Sequence, residues 1–171
     1  MRMKFCPECG AGAVMKDIGD EGMMPFCPDC RKPLWDSFRT CIIAAVVDED
    51  GEFALLRQNY VSSEHYVCVA GVVKAGESAE DAALREVSEE LGLAPVSVHF
   101  VRSYPYPEKD MLMLGFRVDV RKGGFRLSKE VDSAEWFMPD KAVNALREGS
   151  IAYRLVRKIL RSADPAADVS E

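Results

Sequence analysis

The sequence has little of three things: aromatic residues, positive charge and long apolar stretches. Only 9% of its 171 residues are aromatic, and 28 acidic residues outnumber 22 basic ones, which leaves a net charge of −6. An acidic balance gives no general field for nucleic acid, so no DNA partner is expected. No apolar run approaches the ~20 residues that a membrane-spanning helix needs, so no membrane association is expected either.

Histidine is scarce as well. His65 and His99 are the two histidines of the sequence. The first lies in a polar segment, and the second alternates with Val98 and Phe100 in a strand-like run. Such settings are typical of ordinary surface or packing residues, and proton transfer is the minority interpretation. The candidates for chemistry are therefore sought among the cysteines and the carboxylates.

Four of the six cysteines form two C-x-x-C pairs, Cys6 with Cys9 and Cys27 with Cys30, separated by residues 10–26. Two such pairs in a short glycine-rich segment predict a zinc ribbon, in which four thiolates hold one structural Zn²⁺. Disulfides or a redox motif are the alternatives, but a redox motif needs one pair beside a βαβ unit. Because no secretory signal precedes the cysteines, a reducing compartment and a cytoplasmic location are expected.

A second pattern occupies residues 71–93. Its second half predicts an amphipathic helix that Ser78 caps and Gly92 ends. Within that helix Ala83, Val87 and Leu91 fall on one side, from which they can anchor the helix in a core.

The remaining face of this helix is acidic. Glu86, Glu89 and Glu90 stand at positions i, i+3 and i+4, so their carboxylates share one side. Oxygen ligands in that number suit Mg²⁺ or Mn²⁺. A solvated acidic face is the ordinary alternative, but the glycines and Arg85 at fixed offsets favour a metal site.

The chain divides into a ribbon over residues 1–35, a larger domain over 36–161 and a small, charged tail over 162–171 that we expect to be disordered. Alternating and apolar runs with one motif helix among them indicate the α/β class. The predicted strands of the larger domain are 40–47, 53–58, 66–70, 96–104, 111–120 and 135–138, and the later helices are 139–147 and 150–161.

Residues 71–93 resemble the Nudix box at each of its defining positions. The resemblance implies an α/β/α sandwich with a mixed sheet. It also implies metal-dependent hydrolysis of a nucleoside diphosphate linked to another group, with Gly71 in the loop that meets the diphosphate. The residues that it assigns to catalysis or metal binding are the carbonyl of Ala70 and the side chains of Glu77, Arg85, Glu86, Glu89 and Glu90. Arg85 would orient a carboxylate, for which Glu77 is the candidate.

Nearly the whole chain resembles the NADH pyrophosphatase branch of that family, which places a Cys₄ ribbon directly before the Nudix domain. Lys129-Glu130 followed by Glu135-Trp136-Phe137 resembles the segment that carries a further metal-binding glutamate, and Glu130 is the matching position. The branch also implies a substrate-contacting aromatic residue at Trp35, a backbone contact to the nucleotide at Ala152, and a homodimer. A surface charge at Glu130 and a packing role for Trp35 are the alternatives.

The substrate assignment rests on weaker matches. Ser103-Tyr104-Pro105-Tyr106-Pro107 keeps the alternating prolines and aromatics of the branch but lacks its glutamine, and Val72 replaces a phenylalanine that stacks on nicotinamide. Tyr104 and Tyr106 can still offer aromatic faces to a base. Hydrolysis of NADH or NAD to NMN(H) plus AMP is the leading interpretation. The alternatives are a Nudix hydrolase for FAD or ADP-ribose and a catalytically silent nucleotide sensor.

Overall fold

The computed structural model describes residues 3–163 and divides into two compact units, Met1–Arg39 and Thr40–Glu171. The last helix continues to Ala163, so it passes the predicted boundary with the tail at residue 162. Residues 164–171 of that predicted tail lie outside the described residues. No helix of the described chain is long and apolar enough to cross a membrane.

The first unit is a small antiparallel sheet with two cysteine turns. Its strands are β1 (Val14–Asp17), β2 (Met23–Cys27) and β3 (Lys32–Pro33), in the order β1-β2-β3. The first turn closes with a 2.9 Å hydrogen bond from the Gly10 amide to the Cys6 carbonyl. Gly10 has φ +75° there, a conformation that glycine adopts without strain.

A seven-stranded sheet forms the centre of the second unit. Strands β10, β5, β4, β9 and β8 follow one another across it, while β6 pairs with β5 and β7 pairs with β4. The strands are β4 (Arg39–Val47), β5 (Phe53–Gln58), β6 (Ser62–Val67), β7 (Val69–Val72), β8 (Pro95–Tyr106), β9 (Met111–Val120) and β10 (Ser133–Phe137). The segment predicted as one strand near residues 66–70 is thus the end of β6 and the start of β7.

Helices cover both faces of this sheet, as predicted for the α/β/α sandwich. They are α1 (Ala79–Leu91), α2 (Pro139–Ala145) and α3 (Ile151–Ala163). Strand β4 is buried on both faces and alternates between the two cores. Ile42, Ala44 and Val46 pack with α1, whereas the residues between them pack with α2 and α3.

Helix α1 begins and ends where its sequence predicts. The Ser78 hydroxyl accepts a 3.1 Å hydrogen bond from the Asp81 amide, and Gly92 ends the helix in a left-handed conformation with φ +67°. Val87 and Leu91 are completely buried against the sheet. Because this apolar side fixes the rotation of α1 about its axis, it also fixes the direction of the acidic side.

Candidate functional site

Arg85 is the centre of an ionic network on α1. Its Nε and Nη2 donate to the two oxygens of Glu77 at 2.7 and 3.0 Å, and its Nη1 donates to Glu86 at 2.6 Å and to Glu89 at 3.1 Å. Nη2 also donates to the Val72 carbonyl at 3.2 Å. One guanidinium therefore joins the loop after β7 to two carboxylates of the acidic face.

These contacts set the charge of the network. The hydrogen bonds from Arg85, followed by the Lys74 amide, lower the pKa of Glu77 to about 2. The same pairing raises the pKa of Arg85 above its usual range, in spite of its partial burial. Glu77 and Arg85 are therefore a permanently ionised pair that neutralises part of the charge on the helix face.

Glu90 is in a different environment from its two neighbours. It is 5% exposed, and its Oε1 accepts a 3.1 Å hydrogen bond from Gln58 Nε2. Its Oε2 is buried and has no hydrogen-bond partner in the described chain. Burial raises the pKa of Glu90 to about 7, and the charges of Glu86 and Glu130 add to the increase. A buried carboxylate oxygen without a partner is unfavourable unless a cation or a proton satisfies it.

Gly71 leaves room for the acidic face. An added Cβ at this position would overlap the Glu86 carboxylate, because the backbone of β7 passes directly beside that side chain. Only glycine allows such a close approach. The structure therefore gives a steric reason for a glycine at this position of the motif.

The donor set fits a hard divalent cation. It offers several carboxylate oxygens beside the backbone of Gly71, which has no side chain. One of these oxygens, Glu90 Oε2, is buried without a hydrogen-bond partner in the described chain. Glu130 lies in an exposed loop, and its charge acts on Glu90. Ala70 lies in β7, paired with Ile43. Arg85 and Gln58 hold these carboxylates by hydrogen bonds, and among the described residues their oxygens do not gather closely around one point.

Two residues beside this face were not among the predicted site residues. Gln58 is a buried polar residue at the end of an apolar strand, and it holds Glu90. Tyr60 lies at the turn between β5 and β6, and its side chain as a whole is 71% exposed. Partial desolvation and the charges of Glu130, Glu90 and Glu86 raise its pKa. A glutamine that closes an apolar run was the available signal for Gln58, whereas nothing local distinguishes Tyr60.

The residues predicted to contact substrate lie in different environments. Tyr106 is partly buried beside the core that α3 covers, and Ala152 is buried there in the first turn of α3. Trp35 belongs to the first unit, where it is 55% exposed. Tyr104 differs from the expectation of a free aromatic face, because it is 4% exposed and the Arg154 guanidinium lies 5.2 Å from its ring centre.

The histidines occupy ordinary positions. The His65 amide donates to Ser62. His99 is exposed on β8, where its Nε2 lies 3.1 Å from Ser97 Oγ. The Ser97 hydroxyl donates to Asp119 at 2.6 Å, so its proton is directed to the carboxylate and not to the histidine. This cluster therefore lacks the arrangement of a nucleophile with its base.

The four ribbon cysteines converge as their spacing predicts. Their sulfur atoms all lie within 4.8 Å of one another, and no disulfide joins them. Backbone amides of Cys9 and Glu8 lower the pKa of Cys6 to about 7, while hydrogen bonding to Cys9 and Cys27 raises that of Cys30 to about 12. A Cys₄ cluster of this kind is compatible with a tetrahedral zinc ion.

A family model, the NUDIX domain, matches residues 37–159. The chain belongs to the NUDIX family. The match includes α1, the Arg85 network and the loop that carries Glu130, and it excludes the ribbon cysteines.

Two curated NUDIX relatives show which members are similar. The chain is 30% identical over 154 residues to the NAD-capped RNA hydrolase NudC of Edwardsiella ictaluri, a match that covers 90% of this chain and 58% of the relative. It is 29% identical to the NAD-capped RNA hydrolase NUDT12 of Macaca fascicularis, over 94% of this chain and 38% of that protein. The chain thus spans less than two thirds of either relative.

Solved structures support the NUDIX fold. A crystal structure of a NUDIX hydrolase from Nitrosomonas europaea superposes with a TM-score of 0.67 and 20% identity, and the match covers 93% of this chain and 89% of that one. At this identity the likeness concerns the fold. It extends over most of both chains.

Replacing Gly71 with alanine tests the steric role of this glycine. Because the added methyl group meets the flexible end of Glu86, we expect the carboxylate to move and the fold to survive. The stabilisation by added Mg²⁺ or Mn²⁺ in thermal unfolding should fall, and turnover should drop at least about tenfold. Gly124→Ala is the matched control, because nothing lies within 4 Å of its added Cβ. Turnover and metal response equal to the control would contradict this role.

The raised pKa of Glu90 predicts a pH-dependent stability without added Mg²⁺ or Mn²⁺. Folding favours the protonated carboxyl, so its contribution is fully present below about 4.5 and is lost as the pH rises to about 7. Glu90→Gln keeps a neutral group at every pH. Between pH 5.5 and pH 8 the wild type should lose on the order of 2 kcal/mol of unfolding free energy relative to Glu90→Gln. An unchanged difference between the two proteins would show that Glu90 does not titrate in this range.

Proposed function

We propose that this chain catalyses metal-dependent hydrolysis of the diphosphate bond in a nucleoside diphosphate linked to a second group. The observation that carries the proposal is the orphaned, buried Oε2 of Glu90 on the acidic face that Arg85 organises beside Gly71. A cation is the natural partner for such an oxygen. The names of the curated relatives, NAD-capped RNA hydrolases, support a diphosphate that contains NAD chemistry.

The proposed metal ligands are the side chains of Glu86, Glu89, Glu90 and Glu130 and the carbonyl of Ala70. Mg²⁺ or Mn²⁺ bound there would neutralise charge on the diphosphate and lower the pKa of an attacking water. Arg85, held by Glu77, keeps two of the carboxylates in place. At Gly71 the absence of a side chain leaves room for the Glu86 carboxylate beside the backbone.

NADH or NAD is the leading substrate, with NMN(H) and AMP as products. We place the hydrolysis at the diphosphate, because a metal on the acidic face would bind the phosphate oxygens and activate water beside them. Tyr106 and the backbone of Ala152 are proposed to contact the nucleotide, and Trp35 keeps the role that the resemblance gives it. Tyr104 is not proposed as a contact, because it is buried and Arg154 lies over its ring.

FAD or ADP-ribose is the second candidate substrate, and Val72 is the observation that favours it. This side chain follows Gly71 and is 48% exposed. It cannot stack on a nicotinamide ring as an aromatic residue would. We therefore propose weaker discrimination between dinucleotides than a stacking residue would give. A silent sensor is disfavoured, because the carboxylates and Arg85 are all present and Arg85 contacts Glu77, Glu86 and Glu89.

We further propose that the chain acts as a homodimer in the cytoplasm. The dimer rests on the resemblance to the NADH pyrophosphatase branch. The location rests on the ribbon cysteines, which form no disulfide and suit a reducing compartment.

The test of function is product analysis on a panel of NADH, NAD⁺, FAD, ADP-ribose and NAD-capped RNA with Mg²⁺ or Mn²⁺. Glu89→Gln removes one proposed ligand charge and should lower kcat about a thousandfold, or about 4 kcal/mol of transition-state stabilisation. Glu80→Gln is the matched control, an exposed glutamate on the same helix. Glu89→Gln turnover within threefold of wild type, or no cleavage of any panel member, would refute the proposed hydrolysis.

Zinc content tests the proposed role of the ribbon. We expect about one Zn²⁺ per chain by elemental analysis of protein purified under reducing conditions without added metal. Cys27→Ser should lose the zinc, because it removes one of four converging thiolates. Cys68→Ala, at a buried cysteine of the second unit, should retain it. Zinc-free wild-type protein would remove the structural metal from the proposal.

A further inference from the structure

A basic groove lies on the face of the sheet that α3 covers. Residues 102–105 of β8 form one wall, residues 153–161 of α3 form the other, and the space between them is about 330 Å³. The groove has no acidic residue in its lining. Its five cationic side chains are Arg102, Arg154, Arg157, Lys158 and Arg161.

These five charges have no carboxylate partner in the part of the chain that the structure describes. Among residues 3–163 none of them lies within ion-pair distance of an aspartate or glutamate. This concentration contrasts with the net charge of −6 for the whole chain. Uncompensated like charges repel each other, so a groove of this composition favours an anionic occupant.

Two of the arginines are already positioned by aromatic rings. The Arg154 guanidinium lies 5.2 Å from the ring centre of Tyr104, and that of Arg157 lies 5.4 Å from the ring centre of Tyr153, to whose hydroxyl it donates at 3.1 Å. A guanidinium that stacks through its face keeps N–H groups at its edge for an anion. The stacking also reduces the conformational entropy that binding would cost.

Tyr104 adds a second, independent observation. It lines the groove and is 4% exposed, yet its buried hydroxyl has no hydrogen-bond partner in the described part of the chain. A buried O–H without an acceptor is unfavourable. The hydroxyl itself has almost no accessible surface, so an acceptor oxygen from the groove could reach it only after a small movement of the groove wall.

The length of the groove and the spacing of its cations indicate which kind of anion it can bind. From residue 154 to residue 161 the helix rises by roughly 10 Å, so its cations form a row longer than a single small ion needs. Each of the two tyrosine rings in the lining has an arginine guanidinium over one of its faces. The groove therefore fits a chain of negative charges, recognised without regard to base identity.

We propose that this groove is a second anion site, separate from the acidic face of α1, which binds a chain of adjacent phosphate groups. The phosphates can belong to the backbone of a single-stranded oligonucleotide or to a free oligophosphate. The site uses none of the proposed metal ligands, so it goes beyond the proposed hydrolysis and does not depend on it.

Direct binding without divalent metal tests the site. The probes are a labelled 12-nucleotide RNA, followed by fluorescence anisotropy, and tripolyphosphate, followed by calorimetry, both at low salt. The variant Lys158→Glu/Arg161→Glu reverses two groove charges. Lys141→Glu/Arg147→Glu is the matched control, because it makes the same change in charge at two exposed positions outside the groove lining. We expect at least tenfold weaker binding for the groove variant and less than threefold for the control.

The outcomes separate the two sources of phosphate. Groove-dependent binding of RNA alone assigns the oligonucleotide backbone, and groove-dependent binding of tripolyphosphate alone assigns a free oligophosphate. Binding of neither probe, or equal loss in both double variants, would overturn the proposal. Arg102→Glu on β8 repeats the test from the opposite wall if the helix variant is unstable. Glu89→Gln should bind both probes as the wild type does, so loss of hydrolysis and loss of anion binding can be told apart.

Discussion

The arrangement of the second unit depends on how one helix face tolerates several carboxylates. Glu86, Glu89 and Glu90 would repel one another if all were ionised and unpartnered. Arg85 relieves two of them, and Glu77 holds Arg85 from the loop that precedes the helix. Glu90 instead accepts a hydrogen bond from Gln58, and its raised pKa favours the neutral, protonated carboxyl. The apolar side of α1 fixes this face in direction, so packing and electrostatics are set by the same thirteen-residue helix.

The sheet separates opposite charges as well as two apolar cores. Alternate residues of β4 point to α1 on one side and to α2 and α3 on the other. The α1 side carries the acidic face, and the α3 side carries the groove with its five cations. A net charge conceals this separation, because it sums over residues that the fold places on different surfaces. The expectation of no basic field agrees with the net charge of −6, but it missed the five cations of the groove.

The sequence predicted those features that depend on short-range patterns. The Ser78 cap, the Gly92 end and the cysteine cluster follow from spacing within a few tens of residues, and the Arg85–Glu77 pair was expected from the resemblance. The Gln58–Glu90 contact joins a strand to a helix 32 residues away and needs the fold. Burial of Tyr104 was missed for a similar reason. The sequence predicted Tyr104 as the last residue of a strand with a free aromatic face, whereas β8 continues past it and pairs with β9 as far as Tyr106 and Met111.

Glu77 and Glu90 have pKa values shifted in opposite directions, and that difference gives the two carboxylates different roles. Glu77, with a pKa of about 2, stays ionised and keeps Arg85 in place at any physiological pH. Arg85 therefore need not leave when Glu86 and Glu89 turn toward a cation, since two of its N–H groups remain bound to Glu77. Glu90, with a pKa of about 7, is half protonated near neutrality, so a cation that binds it must displace a proton. Cation affinity should thus follow the ionisation of one buried carboxyl, while the scaffold that presents it does not titrate.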